Sequence, residues 1–221
     1  MTVITNIEDL RVLAQKRVPR MFYDYVDTGS WTEGTYRANE DDFQKIKFRQ
    51  RVAINMDNRT TRTQLVGQDV AMPVALAPVG STGMQWADGE ILAARAAGKF
   101  GVPFTLSTMS ICSIEDVAAN SPYPFWFQLY VMRDRAFIER LIERAKAAKC
   151  SALVLTLDLQ ILAQRHKDLK NGLSVPVKPT LASIANLLTK PSWCLAMAGT
   201  KRRQFGNIVG HVKGVDNMGS L

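Results

Sequence analysis

Residues 125–158 read FWFQLYVMRDRAFIERLIERAKAAKCSALVLTLD and contain two apolar runs separated by an amphipathic segment. The runs over 125–131 and 152–157 are short and nearly continuous, which predicts two buried strands. The segment 135–149 between them predicts a helix with one apolar face. That face carries Phe137, Ile138, Leu141, Ile142 and Ala145. Buried strands that alternate with amphipathic helices are typical of a parallel sheet covered by helices.

The same alternation continues toward the N terminus. We expect strands over 73–77 and 102–106, a helix over 89–100 that ends at Gly101, and a helix capped by Ser113. The predicted class is therefore α/β, with about four strands and three intervening helices. That count fits the first half of a (β/α)8 TIM barrel, or most of a small doubly wound sheet.

Polar residues follow each predicted strand, and they favour the barrel. In a barrel the carboxyl ends of all strands meet at one site, so residues from the four strands would line one pocket. A doubly wound sheet that binds a dinucleotide would instead need a GxGxxG turn, which PVGSTG at 78–83 lacks. The strand-end residues are Val79, Gly80, Ser81, Ser107, Thr108, Gln128, Tyr130, Thr156 and Asp158.

Three regions follow from this pattern. Residues 1–71 form an N-terminal helical segment and a lead-in, residues 72–171 the first half of the barrel, and residues 172–221 a long, truncated excursion after the fourth strand. In the first region we expect a helix capped by Asn6, with Ile7, Leu10 and Leu13 facing inward. A second helix should begin at Pro19 and end at a left-handed Gly29.

Composition limits the function classes. The 221 residues are 47% hydrophobic with a net charge of +8, which permits anionic ligands without choosing among them. The basic residues are scattered and lack interleaved aromatics, so we expect no nucleic-acid binding. The N terminus lacks the features of a secretory signal, and no stretch has the roughly 18 to 20 apolar residues that a membrane span needs. Three cysteines at no metal-ligand spacing indicate reduced thiols and no metal site.

The excursion contains an apolar segment followed by a basic triplet. Residues 180–190 predict an amphipathic helix that ends before Pro191, and Lys201-Arg202-Arg203 follow. This order fits a segment that binds an anionic membrane surface through 180–204. It equally fits a helix that covers the core and a solvated basic turn.

Six segments in order resemble the FMN-dependent 2-hydroxy acid oxidases and dehydrogenases. They are FYDYVDTGS, MPVALAPVGSTGM, GEILAARAA, TLSTMSICSIEDV, FQLYV and LTLDLQILAQRHKDLKNG, and together they cover nearly the whole chain. The segments DLQILAQRHKDLKNG and KPSWCLAMAGTKRR resemble the bacterial L-lactate dehydrogenase branch in particular. The resemblance implies a (β/α)8 barrel that binds FMN at the carboxyl ends of its strands.

The resemblance also implies a role for individual residues. Tyr25 and Arg165 would bind the substrate carboxylate, and the Tyr130 hydroxyl would lie near the substrate oxygen. Asp158 would pair with a catalytic histidine. Cofactor binding would fall to the main chain at Val79 and Gly80 and to the side chains of Ser107, Gln128 and Thr156.

These residue types suit the oxidation of a 2-hydroxy acid. Arginine offers a bidentate cationic fork for a carboxylate, and a carboxylate-oriented histidine is a common base. No side chain accepts an electron pair, so a flavin has to supply the sink. The family histidine and second arginine belong to a motif similar to SNHGGRQLD, and a flavin lysine belongs to the fifth strand. None of these matches this sequence, and His166 and His211 match neither motif, so we expect the 221-residue polypeptide alone to be inactive.

The resemblance implies oxidation of an L-2-hydroxy acid, with L-lactate leading, and electron transfer to quinone, a cytochrome or oxygen. It also implies a homo-oligomer, often a tetramer, and a cytoplasmic location with peripheral contact to the inner face of the cytoplasmic membrane. Two alternatives stay open. One is a truncated, non-catalytic homologue that acts through partner or membrane binding, and the other is a barrel enzyme that binds a phosphate-bearing ligand without flavin chemistry.

Overall fold

A computed structural model of the chain describes residues 3–158, 161, 163–173 and 180–217. Helices and short strands alternate through its middle, as the sequence predicts. The helices are α1 (Ile7–Arg17), α2 (Arg20–Val26), α3 (Gly34–Asp41), α4 (Thr82–Gln85), α5 (Gly89–Phe100), α6 (Ile114–Asn120), α7 (Arg135–Ala147), α8 (His166–Asn171), α9 (Leu181–Leu188) and α10 (Pro191–Gly199), with a 3-10 turn at Asp42–Lys45. The strands are β1 (Thr63–Leu65), β2 (Gln68–Val70), β3 (Thr105–Leu106), β4 (Trp126–Tyr130) and β5 (Ala152–Thr156).

The main sheet is parallel and has the order β3-β4-β5. Trp126 pairs with Ala152 at one end of the β4–β5 ladder and Tyr130 with Thr156 at the other. Because α6 connects β3 to β4 and α7 connects β4 to β5, the helices cover the sheet in strand–helix–strand units. This arrangement confirms the predicted α/β class and the two strands and helix of residues 125–158.

The core lies between this sheet and helices α5, α6 and α7. Leu106, Phe127, Phe137 and Leu141 are fully buried in it, and Ile208 joins it from the C-terminal segment. Two predicted features of the helices are confirmed. Ser113 begins α6 with a capping box, and Gly101 ends α5 with φ 91°.

The predicted buried strand over 73–77 is wrong. This segment makes one parallel bridge, Leu76 to Phe104, and Val74 and Leu76 are exposed. The Leu76 amide donates to Pro103, and the Leu76 carbonyl accepts from Thr105. Pro73 and Pro78 flank the bridge without amide hydrogens, so the ladder cannot extend in either direction.

The N-terminal helices form, but not with the predicted faces. Asn6 caps α1 in a capping box, as expected, yet Ile7 is 84% exposed and Leu10 50% exposed. Polar contacts hold α1 instead, because Arg11 bonds to Asp27 and the Lys190 ammonium donates to the Lys16 carbonyl. The apolar pattern identified a helix but not what that helix packs against.

Helix α2 begins directly after Pro19, as predicted, but it ends at Val26. Gly29 is not left-handed. A Cβ at Gly29 would lie 2.7 Å from the Tyr36 Cβ, so this glycine allows close packing of α3 and does not terminate α2.

An antiparallel hairpin, β1–β2, was not predicted. Leu65 pairs with Gln68, and the two residues between them, Val66 and Gly67, have φ 50° and 75°. Two positive φ values are the geometry that a two-residue hairpin turn needs. Valine rarely adopts that conformation, so Gly67 was the only signal of the turn in the sequence.

Helices α9 and α10 pack against α2 and α4. Thr180 caps α9, which confirms the predicted helix, and α10 follows with Trp193 buried. The ring centroids of Trp193 and Phe22 lie 5.5 Å apart in a stacked pair, and the Trp193 indole N–H donates to the Met84 carbonyl.

Every helix among the described residues is too short or too polar to cross a lipid bilayer. All three cysteines are free thiols, as predicted.

One surface ion pair should make stability depend on acidity. Arg144 donates two 2.7 Å hydrogen bonds to the Glu115 carboxylate, and these lower its pKa from 4.5 to about 2. The stabilisation is present above pH 4.5 and is lost as the pH falls toward about 2. In urea unfolding, we expect Glu115→Gln to remove this part of the pH dependence, at a cost below about 1 kcal/mol because the carboxylate is half exposed.

Exposed Glu139 on α7 offers the matched control, Glu139→Gln. Equal pH profiles for the wild-type protein and Glu115→Gln would contradict this prediction.

Candidate active site at the carboxyl ends of the strands

Hydrogen bonds join the polar side chains at the ends of β3, β4 and β5. The Gln128 amide donates to the Thr156 hydroxyl at 2.8 Å, and its carbonyl oxygen lies 3.3 Å from the Ser107 hydroxyl. The Thr108 hydroxyl donates to the Gln128 main-chain carbonyl at 2.6 Å. Ser107 and Gln128 are buried, so the network holds three strand ends in fixed relation. Three of the predicted cofactor residues are thus in direct contact.

A second group forms around Tyr25 on α2. The Arg165 guanidinium lies 4.9 Å from the Tyr25 ring centre and donates to the Tyr25 carbonyl. It also bonds to Asp168 at 2.5 Å. Burial raises the pKa of Tyr25, and the positive charge of Arg165 opposes that rise. The two predicted carboxylate-binding residues are therefore neighbours, and the Tyr25 hydroxyl is un-ionised at neutral pH.

The loop that carries Val79 and Gly80 lies between these two groups. A Cβ at Gly80 would lie 2.7 Å from the Tyr25 hydroxyl and 3.5 Å from the Met109 carbonyl. Ser81, at φ 57°, donates its amide to the Met109 carbonyl, and the Met109 amide donates to the Ser107 hydroxyl. Main-chain contacts therefore link the Tyr25 group to the strand ends.

Tyr130 is the last residue of β4, and Asp158 lies two residues after the end of β5. Burial raises the pKa of Tyr130, and the negative charge of Asp158 adds to the rise. Tyr130 also contributes to the raised pKa of Tyr25, which places the two phenols near each other. Asp158 is exposed, as is Val79. Among the described residues, neither the Tyr130 hydroxyl nor the Asp158 carboxylate has a hydrogen bond. The roles predicted for these residues stay predictions.

Two buried polar residues that sequence reasoning missed support the site. Glu90 on α5 accepts the amides of Gly83 and Ile111, each at 2.9 Å. Glu90 falls on the same helical stripe as buried Ala94 and Ala97, and that placement of a carboxylate was an overlooked signal.

The other missed residue is Asn207, whose side chain is fully buried. Its oxygen accepts the Ile114 amide at 3.0 Å, and its amide donates to the Ser110 hydroxyl at 3.0 Å. No local pattern marks Asn207, because its partners lie about a hundred positions earlier in the chain.

The chain belongs to the FMN-dependent dehydrogenase family, which matches residues 14–217. Solved relatives share its fold, which is that of an FMN-dependent TIM-barrel enzyme. (S)-Mandelate dehydrogenase, described as a monotopic membrane protein, is 32% identical with a TM-score of 0.88, over 98% of this chain and 58% of that one. A lactate oxidase from Pediococcus acidilactici is 29% identical with a TM-score of 0.73, over 86% of this chain and 52% of that one.

Curated relatives are L-lactate dehydrogenases. The protein of Pseudomonas syringae pv. syringae is 43% identical over 93% of this chain and 54% of its own length. The protein of Stenotrophomonas maltophilia strain R551-3 is 46% identical over 86% of this chain and 50% of its own length. The chain therefore spans about half the length of the curated relatives it matches.

Substitution of Gly80 tests the contact between its loop and Tyr25. We expect Gly80→Ala to lower the free energy of unfolding by about 1–3 kcal/mol, because the new methyl group overlaps the Tyr25 hydroxyl. In a Tyr25→Phe background the same substitution should cost far less, since the remaining neighbours lie at 3.5 Å or more. Urea denaturation of the four proteins measures both values.

Gly34→Ala is the control, since nothing lies within 4 Å of a Cβ at that position. An equal cost of Gly80→Ala in both backgrounds would mean that the hydroxyl is not the obstacle.

Proposed function

We propose that this chain forms the N-terminal part of the active site of an FMN-dependent enzyme that oxidises an L-2-hydroxy acid, with L-lactate as the leading substrate. One observation carries the proposal: the Arg165–Tyr25 pair and the Gln128 strand-end network are joined through Gly80 and Met109. A carboxylate-binding group and a flavin-binding edge then face one site.

The donors and acceptors at the strand ends fit the polar edge of a flavin. That edge alternates carbonyl oxygens and ring nitrogens with a single N–H group, so it needs partners that both donate and accept. The Gln128 carboxamide and the hydroxyls of Ser107 and Thr156 provide both. At Gly80 the absence of a Cβ lets the Tyr25 hydroxyl and Met109 approach the main chain closely. A bound FMN would supply the acceptor for the electron pair that leaves the 2-carbon of the substrate.

Arg165 and Tyr25 bind and orient the substrate carboxylate in this proposal. A guanidinium forms charge-assisted hydrogen bonds to a carboxylate, and stacking on the Tyr25 ring limits its orientations. The Arg165 Nε group donates to the Asp168 carboxylate, and the Nη2 group donates to the Tyr25 carbonyl. The Nη1 group makes no hydrogen bond among the described residues, so it is the group that meets the substrate.

The remaining groups act on protons. The un-ionised Tyr130 hydroxyl donates a hydrogen bond to the substrate oxygen, and its raised pKa keeps that proton in place. Asp158 would orient a neutral histidine that takes the proton lost in the oxidation, and it would then stabilise the protonated form of that histidine. The family resemblance gives this chain no such histidine, and His166 is exposed beside Trp31. We therefore expect the 221-residue polypeptide alone not to turn over.

L-Lactate leads because the curated relatives at 43% and 46% identity are L-lactate dehydrogenases. The (S)-mandelate dehydrogenase and lactate oxidase likenesses support the wider class of L-2-hydroxy acids. Quinone, a cytochrome or oxygen would take the electrons from the flavin. We also propose that the whole protein is a homo-oligomer and that it is located in the cytoplasm.

We also propose peripheral contact with the inner face of the cytoplasmic membrane through 180–204. Leu181, Leu188 and Leu195 are each at least 75% exposed on α9 and α10, and the mandelate dehydrogenase neighbour is a monotopic membrane protein. The basic triplet at 201–203 contributes little to this contact, because two of its three side chains bond within the protein. Arg202 bonds to Asp88 and Asp116, and Arg203 donates to carbonyls at the end of α10, which leaves Lys201. Apolar burial would therefore dominate the contact.

The visible absorption spectrum tests the flavin chemistry. We expect the protein expressed from its complete reading frame to bind FMN and to bleach under anaerobic L-lactate but not D-lactate. Arg165→Lys should raise the lactate concentration for half-bleaching roughly 10- to 100-fold, the effect of one lost charged hydrogen bond. Exposed Arg51→Lys is the control.

Two results would contradict the proposal. A complete protein that binds no FMN would rule out the assigned cofactor. Bleaching by the 221-residue polypeptide alone would show that the expected histidine is not needed.

Vesicle flotation tests the membrane contact. With vesicles that contain phosphatidylglycerol, we expect the protein to float, and Leu181→Gln, Leu188→Gln and Leu195→Gln combined to abolish flotation. Point substitutions are better than deletion of 180–204, because Thr200 and Arg202 bond to Asp88 in the barrel segment. Leu92→Gln with Leu169→Gln, on exposed leucines of α5 and α8, is the control. Flotation of the triple variant at the wild-type level would contradict the proposed membrane contact.

A further inference from the structure

Glu90 is a buried carboxylate that binds main-chain amides from two separate loops. One oxygen accepts the Gly83 amide and the Ile111 amide, both at 2.9 Å, and the other lies 3.4 Å from the Cys112 nitrogen. The Glu90 side chain is 1% exposed. No lysine or arginine forms an ion pair with it among the described residues, so main-chain amides alone compensate its burial.

The two loops are those that carry the predicted cofactor contacts. Gly83 lies three residues after Gly80, and Ile111 lies four residues after Ser107. The loops touch closely here, because a Cβ at Gly83 would lie 2.6 Å from the Ile111 Cβ. The two loops also share a direct hydrogen bond, in which the Ser81 amide donates to the Met109 carbonyl.

Glu90 also affects the ionisation of the neighbouring Cys112 thiol. Burial and the nearby negative charge of Glu90 raise the pKa of the Cys112 thiol, so this cysteine stays protonated beside the loops. The Glu90 carboxylate is therefore the charged group at this junction, and the Cys112 thiol beside it is un-ionised.

We propose that Glu90 is a positioning residue, whose carboxylate fixes the Val79–Gly80 main chain relative to the Ser107 strand end and so shapes the surface against which the flavin lies. This inference rests on the proposed function. Glu90 reaches the cofactor only through the loops, because its own side chain is enclosed by them. Its loss should loosen the two loops relative to each other while the sheet stays intact.

Amide hydrogen exchange measures the positioning directly. In Glu90→Ala we expect the amides of Gly83 and Ile111 to exchange at least about tenfold faster, since both lose their buried acceptor. Glu90→Gln should give a smaller effect, because its oxygen can still accept both amides while its amino group faces the Cys112 nitrogen. Amides within β4 should be unchanged in both variants.

Flavin binding measures the consequence in the protein expressed from its complete reading frame. We expect Glu90→Ala to raise the FMN dissociation constant about tenfold or more and to alter the visible circular dichroism of the bound flavin, with Glu90→Gln between it and the wild type. Leu141→Ala is the control for destabilisation alone, since Leu141 is buried on α7. It should lower the thermal midpoint and leave the flavin signal unchanged.

The outcomes separate this inference from the proposed function. Glu90 variants that lose thermal stability but keep the wild-type dissociation constant and flavin spectrum would overturn the positioning role. A wild-type protein that binds no FMN would instead overturn the proposed function. Exchange would then still decide on the junction: faster exchange confined to the two loops supports it, and unchanged exchange overturns it.

Discussion

The Gln128 carboxamide is the interaction on which the site depends. It sits at the carboxyl end of the central strand, and it reaches Ser107 on one side and Thr156 on the other. A buried carboxamide without partners would destabilise the sheet, so β3 and β5 must bring their hydroxyls to the level of Gln128. The requirement that stabilises the sheet therefore aligns the polar groups that we propose bind the flavin.

Buried polar groups outside the sheet extend the same constraint to the loops. Glu90 accepts the amides of Gly83, after segment 73–77, and of Ile111, after β3. Asn207 attaches the C-terminal segment to the loop after β3. Arg202 adds a second attachment through Asp88 and Asp116. Residues 200–208 are thus packed against the strand ends, whereas the exposed leucines lie on α9 and α10 before them. The excursion combines a fixed part with an apolar, exposed part.

Local patterns predicted the elements whose causes are local. The capping boxes at Asn6 and Ser113, the amphipathic α7 and the apolar strands β4 and β5 each follow from residues within a few positions of one another. The convergence of Ser107, Gln128 and Thr156 could also be predicted, because parallel strands place their carboxyl ends together. What a face packs against could not be predicted, as Ile7 and Leu10 show. Asn207 likewise depends on partners far away in the chain.

The polar groups of the site fall into two sets that differ in how far the chain satisfies them. Glu90 and Asn207 are buried and hydrogen-bonded, so any movement of their side chains costs hydrogen bonds that water cannot replace. Tyr130, Asp158 and Nη1 of Arg165 have no hydrogen bond among the described residues, although they lie beside the engaged set. Groups that must meet a substrate need free valences, and they keep their positions only where the surrounding residues are rigid. We therefore propose that the unsatisfied set meets the substrate, and the satisfied set explains why those groups stay in place.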